Sequence, residues 1–144
     1  MTPQERAEHS AKVMWERDAA SKWLGITLNA IGPGTATVSL NIDDHHLNGH
    51  QICHGGYIFT LADSAFALAC NSYNKLAVAQ NNQIAFLSPG KKGEKLIAHA
   101  AERVLNGRSG IYDVDIVSSD GRQIALFRGF SRTISGQHFL ELET

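Results

Sequence analysis

Residues 48–70 read NGHQICHGGYIFTLADSAFALAC, and the single formally charged side chain in that run is Asp63. The apolar part, Tyr57 to Cys70, is shorter than the ~20 residues a bilayer span requires, and it contains a carboxylate. It reads instead as a buried helix of roughly four or five turns that starts at Gly55-Gly56. A helix apolar nearly all round has to be covered on most sides, and a curved antiparallel sheet wrapped around it is the economical cover. One sheet covers one side only, so the far side asks for a second copy of the chain.

Upstream, Thr2, Pro3 and Glu5 have the form of a capping box, with Thr2 as N-cap, Pro3 at the first helical position and Glu5 reaching back. Ala7, Ala11, Met14, Ala19 and Trp23 supply an apolar side and Gly25 a stop, which predicts one helix over about residues 3–23. LGITLNAI then passes through Gly32-Pro33-Gly34 into TATVSLNI. There Ala36, Val38, Leu40 and Ile42 alternate with polar residues, the period of a half-buried hairpin. The stretch from Asp43 to Cys53 is loop-like.

Downstream of Asn71 the pattern returns to strands: LAVAQNNQIAFL closed by Ser88-Pro89-Gly90, EKLIAHAAERVL, IYDVDIVS and QIALFRGFSRTI. Asn106-Gly107 and Asp120-Gly121 are hairpin turn signals. The order is helix, two strands, long helix, four strands, an α+β layout. Residues 1–144 are read as one domain, with a core over about 24–134 and a tail over 135–144 that shows no clear period and is expected to be partly disordered.

Composition narrows the partners. With 13 Lys+Arg against 14 Asp+Glu the net charge is −1, so there is no positive field to recruit nucleic acid or an acidic membrane. Cys53 and Cys70 lack CxxC spacing and are too few to staple a chain of this size, which suits a reducing compartment. The N-terminus is charged from Glu5 and Arg6 onward and has no signal-type apolar core, so the expected location is the cytoplasm.

Helical spacing puts Gly56, Phe59, Thr60, Phe66, Ala67 and Cys70 on the face of Asp63. A carboxylate among rings and small residues is harder to ionise, which makes it a better proton acceptor near neutral pH. The alternative is a boundary Asp that reaches solvent, or one that accepts a hydrogen bond from Ser64 or Thr60. His54-Gly55-Gly56 places backbone N–H groups with no intrahelical acceptor at the positive end of a helix, a setting that stabilises an oxyanion. Paired glycines also serve simply to let a loop pack closely. Gly55 and Asp63 are ~12 Å apart along one helix, too far for one carbonyl to touch both. Two helices antiparallel across a two-fold axis would bring Asp63 of one chain to the glycine turn of the other and make two equivalent composite sites.

LNGHQICHGGYIFTLADSAFALACN resembles the signature of hotdog-fold acyl-CoA thioesterases, specifically those of bacterial phenylacetate degradation, and the likeness covers nearly the whole chain. The resemblance implies a hotdog fold and a homo-oligomer, a dimer with composite sites that pairs into a tetramer. It implies hydrolysis of an aryl- or arylacetyl-CoA thioester, phenylacetyl-CoA or a ring-hydroxylated derivative, with no metal or cofactor. In that family the first glycine N–H polarises the thioester carbonyl and the partner's helix carboxylate activates water or attacks, roles that fall here to Gly55 and Asp63. Asn48 would help hold the water or thioester, His54 would shape the turn, and Gly56 would line the substrate. A hydroxyl that members often place near the acid is replaced by Ala79, which leaves Gln80 or Asn81 as substitutes. The F-L-R-P loop reads Phe86-Leu87-Ser88-Pro89, so Lys91, Lys92 and Arg108 are the candidates for the CoA phosphates.

Two other functions stay open: a hotdog dehydratase or hydratase that moves a proton on the acyl chain, and a non-catalytic acyl-CoA-binding module. His45, His46, His50, Cys53 and His54 crowd one segment, but without a second ligand cluster they read as loop residues and not as a zinc site. Cys53 beside His54 lacks a third, orienting group and reads as a buried structural cysteine, as does Cys70. The amides of QNNQ, residues 80–83, face either the site or a subunit interface.

Overall fold

A computed structural model of the chain describes residues 1–141. Helices α1 (Pro3–Arg17) and α2 (Ala19–Leu24) precede a hairpin of β1 (Thr27–Gly32) and β2 (Thr35–Asn41). A 3-10 turn at Asp44–His46 leads to helix α3 (Gly55–Cys70), and β3 (Ala77–Phe86), β4 (Lys95–Asn106), β5 (Ser109–Ser118) and β6 (Gln123–Thr133) follow. The six strands form one sheet in the order β1-β2-β4-β5-β6-β3, and every neighbouring pair is antiparallel.

The sheet wraps α3, which lies across β2, β4 and β5. Burial alternates along β5, where Gly110, Tyr112, Val114, Ile116 and Ser118 point inward, and the helix answers with Leu61, Ala62, Ala65, Phe66, Leu68 and Ala69, all buried. Phe66 packs against Tyr112 and Phe127. A Cβ on Gly129 would come within 2.6 Å of its ring, so that glycine sets how closely α3 approaches β6.

The sheet leaves one stripe of α3 uncovered. Gly56 is exposed, and Phe59, Thr60, Asp63, Ser64 and Ala67 are only half-buried. Phe66 and Cys70, expected on the face of Asp63, are buried, and the Cys70 thiol lies near enough to feel the Asp63 charge. β3 is an edge strand beside this stripe.

The predicted single N-terminal helix is two. Asp18 leaves helical geometry at φ −86°, ψ 84° and caps α2, its side chain accepting from the Ser21 N–H. Thr2 does cap α1, accepting from the Glu5 N–H at 3.1 Å. The tail, expected to be partly disordered, is docked through residue 141. Asn74 accepts from the His138 N–H at 2.9 Å and donates to the Phe139 carbonyl at 3.0 Å, and Arg6 forks onto Glu141. Residues 142–144, the rest of that expectation, lie outside the described residues.

Candidate active site

Local chemistry builds the start of α3. His54 is its N-cap, and the Gly56 N–H donates to His54 Nδ1 at 2.9 Å. The Tyr57 and Ile58 N–H groups both donate to the His54 carbonyl. Among the described residues the Gly55 N–H has no acceptor. The cap therefore singles out one donor at the positive end of the helix. Gly56, expected to contribute to substrate binding, has its N–H occupied by His54.

Both glycines are also needed sterically. A Cβ on Gly55 would lie 3.1 Å from the Phe86 ring, and one on Gly56 would lie 3.0 Å from His54 Nδ1. The turn is held from outside by the Cys53 N–H donating to the Gly90 carbonyl and the His54 N–H donating to the His46 carbonyl, each at 2.8 Å.

Asn48 sits half-buried in the preceding loop. Its Oδ1 accepts from the N–H groups of His50 and Ile52 at 2.9 and 3.3 Å, which fixes the amide orientation. Its Nδ2 makes no hydrogen bond among the described residues, so the Asn48 amide is a second available donor.

Asp63 lies farther along the open stripe of α3. Burial pushes its carboxyl above the usual carboxylate range, an Asn82 hydrogen bond partly offsets this, and the charge of Asp18 reinforces it. Asn82 Nδ2 donates to Asp63 Oδ1 at 3.1 Å, and Asn82 Oδ1 is a buried acceptor with no partner among the described residues. A buried, unpaired carbonyl beside a carboxylate calls for a donor such as water or substrate.

Asn82 replaces the residues expected at this place, since Gln80 and Asn81 are both exposed. A bulge between Ala79 and Asn81 in the pairing of β3 with β6 shifts the inward-facing set by one residue. Counting back by twos from half-buried Ile84 would have named Asn82; counting forward from Ala79 could not.

The candidate phosphate ligands are separated within one chain. Lys91 is exposed and Lys92 pairs with Asp44 at 2.7 Å, near the start of α3. Arg108 lines a cavity with Cys70 and Tyr73 at the opposite end of that helix.

Other polar groups in this segment have structural work. His46 is buried, with Nδ1 accepting from the Asp43 N–H at 2.9 Å and Nε2 donating to the Leu24 carbonyl at 2.8 Å. Burial pushes the Cys53 thiol up to about 11 and the Cys70 thiol up to about 12, so neither is a ready nucleophile.

A long apolar helix gripped by one curved sheet, with a bare N–H at its start and a hard-to-ionise carboxylate on its open side, defines a hotdog-fold thioesterase. Residues 50–125 match the thioesterase superfamily, and the chain belongs to that family. It is 45% identical over 131 residues to acyl-coenzyme A thioesterase PaaI of Escherichia coli K12, covering 91% of this chain and 94% of that one. The solved structure of E. coli PaaI, from the phenylacetic acid degradation operon, superposes with a TM-score of 0.92 at 43% identity, covering 94% of this chain and 99% of that one. A mutant of the phenylacetic acid degradation protein PaaI of Thermus thermophilus matches with a TM-score of 0.78 at 36% identity, covering 81% of this chain and 100% of that one. The protein is thus a thioesterase of hotdog fold, and among the described residues no helix is long and apolar enough to cross a membrane.

Proposed function

We propose that the protein hydrolyses the thioester of an aryl- or arylacetyl-CoA, phenylacetyl-CoA or a ring-hydroxylated derivative, to free acid and CoA in phenylacetate degradation. The observation that carries the mechanism is the lone Gly55 N–H in a turn whose neighbouring donors are all satisfied. That donor and the dipole of α3 polarise the thioester carbonyl. Asn48 Nδ2 holds water or the thioester beside it. Asp63 takes a proton from water, the resulting hydroxide adds to the carbonyl carbon, and the tetrahedral oxyanion rests on Gly55. The C–S bond then breaks and the CoA thiolate recovers the proton from Asp63. Direct attack by Asp63 would instead form a mixed anhydride; water opening it at the Asp63 carbonyl would leave ¹⁸O from H₂¹⁸O in the protein, which the water route never does, and hydroxylamine trapping would catch an anhydride that opens at the acyl carbon. The acyl preference is supported by the PaaI relatives. Free-thiol release across a panel of acyl-CoAs is expected to favour arylacetyl thioesters; ligand binding without thiol release would overturn the assignment.

The ~12 Å offset between Gly55 and Asp63 supports a homodimer with composite sites. Edge strand β3 and the exposed apolar side chains Val78, Phe86, Leu87 and Leu126 offer the surface. In an antiparallel pair, Lys91 and Lys92 of one chain approach Arg108 of the other and meet the CoA phosphates together. A second exposed patch at Val104 and Leu105 lets two dimers pair into a tetramer. The free thiols of Cys53 and Cys70 suit the cytoplasm. Asp63→Asn chains refolded with Gly55→Pro chains, once the latter are shown to fold, are expected to regain part of the lost activity, because each heterodimer holds one intact site. Heterodimers with no recovery would place acid and oxyanion donor on the same chain.

A further inference from the structure

The junction between α1 and α2 reaches the catalytic helix through a chain of hydrogen bonds. Asp18 is half-buried at the break. Its Oδ1 accepts from the Ser21 N–H at 2.9 Å and its Oδ2 from the Ser21 hydroxyl at 2.7 Å. Ser21 is buried, and its Oγ lies 2.8 Å from Ser64 Oγ. A carboxylate only accepts, so the Ser21 hydroxyl hydrogen points to Asp18, and Ser64 must donate in the second bond. The chain is directed: Ser64 to Ser21 to Asp18.

Ser64 is the residue after Asp63 on α3, at the edge of its uncovered stripe. The hydrogen bond there ties α3 to the helix junction at the residue next to Asp63. The same chain ends on a second negative charge that acts on Asp63.

We propose that Asp18 is a positioning residue for thioester hydrolysis: acting through Ser21 and Ser64, it holds α3 in the rotation that aims Asp63 at the reacting carbonyl. Its charge has a second effect, making Asp63 harder to ionise and so a stronger base when it does ionise. Among the described residues, the groups that bear on Asp63 are Asp18 from the helix junction, Asn82 from β3, which does not titrate, and the Cys70 thiol on α3 itself. The inference rests on the reading of Asp63 as the catalytic carboxylate.

Asp18→Asn is the first test, because Asn still caps a helix but removes the charge. The acid limb of kcat against pH is expected to move to lower pH. A ¹³C NMR titration of the Asp63 carboxyl should move in the same direction, and it reads Asp63 without turnover. Ser64→Ala leaves the α2 cap intact and is expected to lower kcat several-fold with KM little changed, and Ser64→Thr should restore it. An unmoved acid limb and NMR titration in folded Asp18→Asn, or wild-type kcat in Ser64→Ala, overturns the proposal. Near-normal turnover by Asp63→Asn would instead count against the site reading, and the NMR titration keeps the two failures apart.

Discussion

The two ends of α3 are finished differently. At the C-terminal end the polar groups of the chain reversal are tied off by side chains. Asn71 Nδ2 donates to the Ala67 and Ala77 carbonyls at 2.8 and 3.1 Å, and Asn71 Oδ1 accepts from the Ala77 N–H at 2.9 Å and from His138 Nε2 at 2.8 Å. Ser72 Oγ donates to the Ala69 carbonyl at 2.7 Å and accepts from the Gly34 N–H at 2.8 Å. At the N-terminal end His54 satisfies Gly56 and leaves Gly55 bare. A helix end that only has to hold the fold is closed with redundant caps. One that has to stabilise developing charge keeps a donor open and accepts the loss in stability.

The largest expected effect follows from the open half of that contrast. Asp63→Asn should preserve fold and assembly while lowering kcat by about 10²–10⁴, the contribution typical of a positioned acid-base group. The closed end should behave in the opposite way. Asn71→Ala strips five hydrogen bonds and should cost about 2–3 kcal/mol of stability in urea unfolding, with kcat of the folded fraction close to wild type. A fall in kcat for folded Asn71→Ala as large as that for Asp63→Asn would erase the distinction between the ends.

How much of this was legible in the sequence depends on how local the cause is. The glycine turn was readable because paired glycines at a helix start act locally, though not that His54 would take up the Gly56 N–H, and period two showed the strands because each residue reports its own face. Asn82 was hidden because its direction depends on a bulge set by pairing with Ser131 and Phe130 on β6. The break at Asp18 answers to Ser21 and, across the fold, Ser64. The tail looked unstructured because its anchor is Asn74, more than sixty residues before it. Asn82 and the tail turn on partners that no window of neighbouring residues contains, and the break at Asp18 joins a local cap at Ser21 to the distant Ser64.

His54→Ala sharpens the comparison from the middle of the range. It frees the Gly56 N–H and loosens the turn without removing the Gly55 donor. The expected cost is about 1 kcal/mol of stability and on the order of a tenfold drop in kcat, less than loss of an oxyanion donor outright. His54→Asn, which retains an acceptor at the cap, should recover most of both. If His54→Ala leaves kcat untouched while Tm falls, His54 belongs with the structural caps of the far end.

The smallest expected effect concerns stability and pH. Because burial raises the Asp63 carboxyl above its unfolded value, the native state holds that proton more tightly than the unfolded chain does. The stability this contributes is fully present below the unfolded carboxylate range and is lost as pH rises through the higher native value. At neutral pH the ionised carboxylate is therefore a burden on the fold, one that the Asn82 hydrogen bond only partly offsets. Asp63→Asn carries a neutral side chain at every pH and can still accept from Asn82. Its Tm should exceed that of the wild type at pH 7–8 by a few degrees at most, and the gap should close as pH is lowered through the carboxylate range. Thermal melts of the two proteins across that range give the answer. A wild type that gains on Asp63→Asn as pH rises would mean that the carboxylate is stabilised by its surroundings, and that the open side of α3 is as fully satisfied as its C-terminal end.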